Sequence, residues 1–330
     1  MTKPSPSASK RRGRAPPATE GKLPDLPKLP LGSSGKSHPA VGLGLWALGR
    51  WTLEDEARTK ATIGRALERG IAWFDTAEVY GNGRSERLLG DALSRRREGP
   101  PLFLATKVSW EHLRPSQVRA ALVGSLQRLN RSSVDLYLVH APDPRVPVAE
   151  TMAALEALWK EERIGAIGVS NFSLEQMEEA ERSLREAEVT VSQVRYNLLD
   201  RRDAEEVLAH CRSRRIVVEA YTPLARGLLL GRHTDGGKPP VEVARFAQDA
   251  MGGDKFAAVA ARAKAVATLA RKEGLPPASL ALHWLLRQGA APLFGAKDPE
   301  QLDGLVEALA HRPRDAALDE AEALTRGALD

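Results

Sequence analysis

From Val41 onward, short apolar runs alternate with longer stretches in which apolar residues return every three or four positions. The runs are VGLGLW (41–46), IAWFD (71–75), LFLATK (102–107), VDLYLVH (134–140), AIGVS (166–170), VSQVRYN (191–197), VVEAY (217–221) and APLFGA (291–296). Apolar runs without strict alternation suit strands covered on both faces, the condition of a parallel sheet. Between them, Val118, Leu122, Leu126 and Leu129 keep helical spacing, as do Met152, Leu155, Leu158 and Trp159. Thr52 with Asp55, and Ser173 with Gln176, have capping-box spacing, while Gly70 and Gly274 stand where helices should stop. Eight strand candidates separated by helices predict an α/β fold, a (β/α)8 TIM barrel forming a single domain over residues 39–330. A doubly wound open sheet is the competitor, and the count of eight argues against it. The stretch from Tyr221 to Asp254 is long for a connection and predicts a functional loop, in which GRHTDGGKPP (231–240) could fold over a bound ligand.

Composition adds a boundary. Of 330 residues, 42% are hydrophobic and 28% charged, as in a globular protein with a sizeable core. No apolar run approaches the length needed to cross a bilayer, so no membrane role is expected. Eight Lys and Arg against Glu20 and Asp25 give residues 1–38 a charge of +6, so the total of +5 leaves the rest at −1. The basic excess belongs to a Pro/Ser-rich segment, 1–38, read as a flexible basic N-terminal tail, its flexibility reaching to about Lys28, rather than a nucleic-acid-binding face. Attraction of that tail to nucleic acid or a membrane surface stays a minor alternative. The single cysteine, Cys211, excludes an intrachain disulfide and fits a reducing cytoplasm, and the seven histidines have no metal-ligand spacing. GSSGKS (32–37) looks like a phosphate loop, but Pro30 stands where its first glycine should be.

Strand ends and the loops after them build the active site of such a barrel. Here they carry Asp75, Lys107, His140, Ser170, Asn197 and Tyr221, with Tyr80 in the loop after the second run. Each alone has a bland reading as turn former or hydrogen-bonded core polar residue; together they suggest proton delivery. A phenol titrates near ~10. A nearby ammonium such as Lys107 would lower that value, Asp75 would balance the ammonium, and a nitrogen of His140 would orient a carbonyl.

DTAEVYG (75–81), LFLATK ending in Lys107 and LYLVH ending in His140 resemble the aldo-keto reductase superfamily. GLGLWALG (42–49), YGNGRSERLLGDAL, GAIGVSNFS, SQVRYNLLD, YTPLARGLL and GAKDPEQL extend the resemblance over nearly the whole chain after the tail. It implies an NADPH-dependent reductase of aldehydes or ketones, with Tyr80 as proton donor, Lys107 and Asp75 as its tuning pair, and His140 orienting the carbonyl. It also implies cofactor contacts: Ser170, Asn171 and Gln193 on the nicotinamide carboxamide, Tyr221 stacked on the ring, and Leu224, Ala225 and Gly227 near the pyrophosphate. Lys297 would face the 2′-phosphate, unless it is mere surface charge, and Gln301 the adenine.

Three departures stand out. Phe294 replaces a usual proline, Asp298 a usual Ser or Thr, and Leu305 an adenine-contacting Asn; NADPH is still expected over NADH. Trp46, Trp110 and Tyr80 are expected to line a substrate mouth, with Val79 and His112 nearby, although Trp110 could instead pack beneath a loop. The resemblance leaves open a second class, an NADPH-binding regulatory subunit that reports redox state to a partner, as potassium-channel β subunits of the superfamily do. Oligomerisation is left open as well.

Overall fold

The computed structural model describes residues 21–47, 53–94, 101–202, 204–234 and 255–329. Eight parallel strands close into a barrel: β3 (Gly42–Gly44), β4 (Trp73–Asp75), β5 (Phe103–Val108), β6 (Leu136–Val139), β7 (Ile167–Ser170), β8 (Val189–Arg195), β9 (Val217–Tyr221) and β10 (Ala290–Phe294). They follow one another in chain order, and β10 closes on β3 through the register Leu293 to Gly42 and Phe294 to Leu43. The expected barrel and its eight runs are therefore present, with strand ends shifted by a few residues. Leu45–Ala47, read as the end of the first run, turns into a short 3-10 helix that carries Trp46 to the mouth.

The surrounding helices are α1 (Leu53–Glu68), α2 (Arg84–Ser94), α3 (Pro115–Leu129), α4 (Val148–Lys160), α5 (Leu174–Ser183), α6 (Glu205–Arg214), α7 (Lys255–Lys272), α8 (Ser279–Arg287), α9 (Pro299–Ala310) and α10 (Asp315–Thr325). The Ser173 cap forms as its spacing predicts: its hydroxyl accepts from the Gln176 amide at 3.2 Å, and Gln176 Oε1 accepts from the Ser173 amide at 3.0 Å. Thr52, of the other expected capping box, lies outside the described residues, as does 235–254, which holds most of the expected covering loop. Gly70 and Gly274 take positive φ values of 89° and 68°, a conformation open to glycine at little cost.

Strand pleating sorts side chains into two cores. Outward residues such as Phe74, Leu104, Tyr137 and Val169 pack against the helices, while Trp73, Phe103, Ala105, Leu136, Leu138, Val191 and Leu293 fill the barrel. Gly42 is required at this spot: a Cβ there would overlap the Trp73 ring.

Ordered elements begin ahead of residue 39, just after the expected end of the flexible stretch at Lys28. Residues 29–38 form an antiparallel hairpin, β1 (Leu29–Pro30) and β2 (Ser37–His38), under the N-terminal ends of the barrel strands. Leu31 joins the inner core, and the buried His38 ring meets the rings of Trp73 and Phe103 edge-on at 4.4 and 4.6 Å. Glu188 fastens the turn by accepting from the Ser33 amide at 2.6 Å and its hydroxyl at 2.8 Å. Even Leu23 is tied down, its amide donating to the Arg69 carbonyl at 2.6 Å. A polar composition hid two side chains that stopper the barrel.

Candidate active site

Asp75 ends β4, and Lys107 lies near the end of the adjacent β5, two residues beyond the pairing of Asp75 with Ala105. Both side chains therefore point into the barrel at nearly the same height. Lys107 Nζ donates to Asp75 Oδ1 at 2.5 Å, to the Thr76 carbonyl at 2.9 Å and to the Tyr80 hydroxyl at 3.3 Å. Three ammonium hydrogens meet three acceptors, so a fully buried lysine is satisfied.

The five-residue step from Asp75 to Tyr80 is a doubling back. After the strand, the Tyr80 amide donates to the Ala77 carbonyl at 3.1 Å, and the Tyr80 carbonyl accepts from the Ser85 amide at 3.2 Å as α2 begins. Thr76 Oγ1 donates to Ser85 Oγ at 2.7 Å and ties the two ends of the loop. Glu78 fixes the neighbouring loop by accepting from the Ser109 amide at 2.6 Å and lying 3.1 Å from His112 Nδ1.

Burial raises the Tyr80 phenol above its ordinary value; Lys107 pulls the other way and is outweighed. Acidification by Lys107, expected from residue types, is thus only an opposing influence here, because the pocket is nearly closed to water. Burial also raises the Asp75 carboxyl against the pull of Lys107. Lys107 and Gln193 nevertheless both donate to it, the pattern that suits a carboxylate. Lys107 itself loses to burial but gains more from Asp75 and the Tyr80 hydroxyl, and ends above its ordinary value.

His140 follows β6, its amide bonded to the Val108 carbonyl at 3.0 Å. Its ring meets Tyr80 at 5.5 Å and Trp110 at 5.7 Å, and Trp46 meets Tyr80 at 5.3 Å. Trp46 and Trp110 are 60% and 42% exposed as residues, so both stand at the mouth, and Trp110 is not covered by a described loop. Burial, then the charge of Lys107, lowers His140 to about 3, and its Nδ1 is buried without a partner among the described residues. It is a neutral ring at neutral pH.

That depression has a thermodynamic consequence. The unfolded chain binds a proton at His140 near ~6.5, which the folded chain refuses until about 3. Stability from this group is present above ~6.5 and is lost as pH falls toward 3, by roughly 5 kcal/mol in all. Urea unfolding between pH 7 and 4 should therefore show a shallower acid loss in His140→Gln than in the wild type.

The other expected residues gather at the same rim. The Asn171 amide donates to the His140 carbonyl at 2.9 Å and to Ser170 Oγ at 3.0 Å, and its oxygen accepts from the Tyr221 hydroxyl at 2.7 Å. Gln193 sits deeper, its Nε2 donating to Asp75 Oδ2 at 3.0 Å and to Glu219 Oε2 at 2.5 Å. Asn197 is a turn residue: its Oδ1 accepts from the amides of Leu199 and Asp200 at 2.9 and 3.1 Å. After Tyr221, Thr222, Ala225, Arg226 and Gly227 have φ values of 52°, 46°, 54° and 94°, so this loop with Leu224 bends sharply over the rim. The Thr222 hydroxyl is buried with no partner among the described residues.

At the start of α9, the Asp298 carboxylate accepts from the Gln301 amide and side chain, both at 2.8 Å. Asp298 is thus the helix N-cap, which accounts for a carboxylate beside the exposed Lys297. Leu305 packs into the outer core, and Phe294 is buried at the end of β10.

Two residues escaped the motif reading. Glu219, fully buried in β9, and His38 of the hairpin lie 2.8 Å apart under Gln193. A carboxylate inside the apolar run VVEAY, two positions before Tyr221 and so on its face, is the available signal; His38 lies in no motif. Among the described residues, no group of three or more His, Cys, Asp or Glu could hold a metal ion, and no helix is long and apolar enough to cross a membrane.

Comparison with known proteins gives consistent results. The model of the Aldo/keto reductase family matches residues 40–325. An aldo-keto reductase of Bacillus subtilis (strain 168) is 34% identical over 290 residues, covering 84% of this chain and 87% of its own. An NADH-specific methylglyoxal reductase of Escherichia coli (strain K12) is 32% identical over 310 residues, covering 86% and 94%. The structure of a Klebsiella pneumoniae aldo-keto reductase in complex with NADPH superposes with a TM-score of 0.72 at 26% identity, over 92% of this chain and 99% of that one.

Proposed function

The chain belongs to the aldo/keto reductase family and is an NAD(P)H-dependent oxidoreductase; from this premise we propose that it reduces an aldehyde or ketone to an alcohol, with NADPH as reductant and Tyr80 as proton donor. The observation that carries the reading is the buried contact of one ammonium with a carboxylate and a phenol, Lys107 to Asp75 and Tyr80.

The residues present fit a nicotinamide cofactor. Buried polar atoms without a partner among the described residues, Nδ1 of His140 and Oγ1 of Thr222, belong to residues adjoining the Ser170, Asn171 and Tyr221 network. They mark this rim as built for a polar guest. The sharp bend at Leu224, Ala225 and Gly227 brings backbone over the rim where a diphosphate would lie, with the Ala225 and Gly227 amides turned to the Thr222 and Leu224 carbonyls at 2.9 Å. Lys297 offers positive charge for a 2′-phosphate beside the Asp298 carboxylate that caps α9. Gln193 commits its amide nitrogen to carboxylates, which leaves its oxygen as the acceptor for a carboxamide. Bound there, the cofactor supplies the hydride.

The protein's own part is proton delivery and orientation. Tyr80, held above the ordinary phenol value, keeps its proton at neutral pH and gives it to the carbonyl oxygen as negative charge develops there. Lys107, fixed by Asp75, stabilises the phenolate left behind. Neutral His140 offers a ring nitrogen to the same oxygen, and Trp46 and Trp110 form apolar walls beside it.

Assaying NADPH oxidation with a broad panel of aldehydes and ketones tests the proposal. Turnover on at least one is expected; an enzyme that binds NADPH and reduces none would favour the regulatory reading, which the catalytic names of the relatives do not support. Cofactor choice has its own test. Lys297→Ala should weaken NADPH by about tenfold, the value of one charge-assisted phosphate contact, and leave NADH within about twofold. An equal loss for both, followed by fluorescence titration, would remove Lys297 from the phosphate site.

A further inference from the structure

The polar groups of the site continue downward into the barrel. His38, Glu219, Gln193, Asp75, Lys107 and Tyr80 form an unbroken line of hydrogen bonds from the hairpin to the phenol, each member buried. Its upper half was expected from motifs; its lower half has no explanation in them.

Hydrogen-bond chemistry fixes the charge of the lower half. His38 Nδ1 lies 2.6 Å from the Pro39 carbonyl, which can only accept, so Nδ1 carries a hydrogen. Nε2 lies 2.8 Å from Glu219 Oε1. Either an imidazolium donates to a carboxylate there, or a carboxyl donates to a neutral ring. One proton is shared in both cases, and the pair is neutral as a whole.

We propose that His38 and Glu219 are positioning residues for catalysis: they share one proton beneath the site, and so hold Gln193 and Asp75 in place without adding a net charge under Tyr80. The inference rests on Tyr80 being the acid.

Charge arithmetic shows why the pair matters. Gln193 bridges two carboxyl groups with one NH2, spending one hydrogen on each. Lys107 balances Asp75. A bare Glu219 carboxylate would leave one excess negative charge in a dry barrel, opposing formation of a phenolate above it. Among the described residues, the other ionisable groups near this line stand at its ends, Lys36 facing Asp135 by the hairpin and His140 and Tyr221 at the rim, His140 uncharged. On β3 and β10 the inward positions are Gly42, Gly44, Ala291 and Leu293, and on β4 to β6 those below Asp75 and Lys107 are apolar, Trp73, Phe103, Ala105, Leu136 and Leu138. Arg195, the next inward position on β8, faces Asp200 at 3.7 Å.

The test is the pH dependence of NADP+-linked alcohol oxidation, which needs the phenolate and so rises with pH below the Tyr80 titration. His38→Gln removes the shared proton and leaves Glu219 uncompensated; the rising limb should move up by roughly one pH unit, about a tenfold lower rate at pH 9, with KM for NADP+ unchanged. Glu219→Gln leaves the pair neutral, its amide donating to His38 Nε2 and its oxygen accepting from Gln193, so its limb should stay in place whatever its kcat. The double variant His38→Gln with Glu219→Gln should return the limb to the wild-type position, a rescue that mere packing loss would not give. A folded His38→Gln whose limb superposes on the wild type, or a Glu219→Gln limb displaced as far as that of His38→Gln, overturns the proposal. If His38→Gln does not fold, 15N NMR of histidine-labelled wild type decides: Nδ1 must be protonated and Nε2 hydrogen-bonded, and a bare Nδ1 defeats the inference. Failure of the underlying reading looks different, because Tyr80→Phe with undiminished turnover removes the acid and leaves the histidine spectrum untouched.

Discussion

Tyr80→Phe is expected to lower kcat for carbonyl reduction by roughly 10²–10⁴-fold, the usual worth of a positioned general acid, with cofactor affinity within about twofold. The substitution removes one oxygen and leaves the ring, so the contacts with Trp46 at 5.3 Å and His140 at 5.5 Å persist. Among the described residues the hydroxyl's hydrogen-bond partner is Lys107 at 3.3 Å, whose other two bonds, to Asp75 and Thr76, survive the change. A folded variant that binds NADPH and does not turn over is therefore the anticipated product. Steady-state kinetics beside a fluorescence titration with NADPH read both halves. Turnover close to wild type would show that the proton comes from elsewhere.

Lys107→Met should be the more damaging change, since it strikes stability as well as chemistry. Methionine roughly matches the stem but removes three donors from a fully buried point, leaving Asp75 supported by Gln193 alone. Breaking a buried ion pair from one side typically costs about 3–5 kcal/mol, because the remaining charge is stranded. Urea unfolding should show a loss of that order, and reduction should fall at least as far as in Tyr80→Phe. Adding Asp75→Asn removes the stranded charge, so the double variant should recover much of the stability and none of the activity. A double variant as unstable as Lys107→Met would mean that shape, rather than charge, governs the site.

How far the chain could be read in advance varied with the kind of signal. Strands such as LFLATK and LYLVH were plain because burial on both sides demands continuous apolar residues, and Asp75, Lys107 and His140 were plain because polar groups close those runs. The hairpin was not. Leu31, with Leu29 two positions before it, and His38 stand among Gly, Ser, Lys and Pro, too few side chains for a period of two or of 3.6 to emerge. Glu219 was hidden for the opposite reason, a single polar residue inside a run judged by its apolar average. The balance at Tyr80 was also beyond residue types, since they name the neighbours but do not say how little water remains. Asn197 shows the converse error: a polar residue near a strand end that serves a turn.

Among the described residues, Leu31 and His38 close the lower end of the cylinder, and Tyr80 faces the other. Whatever reaches Tyr80 must arrive and depart on the same side, so two guests cannot pass each other and the deeper one has to be seated first. Obligatory sequence in loading and unloading would then be a property of the container's shape, imposed before any affinity is considered.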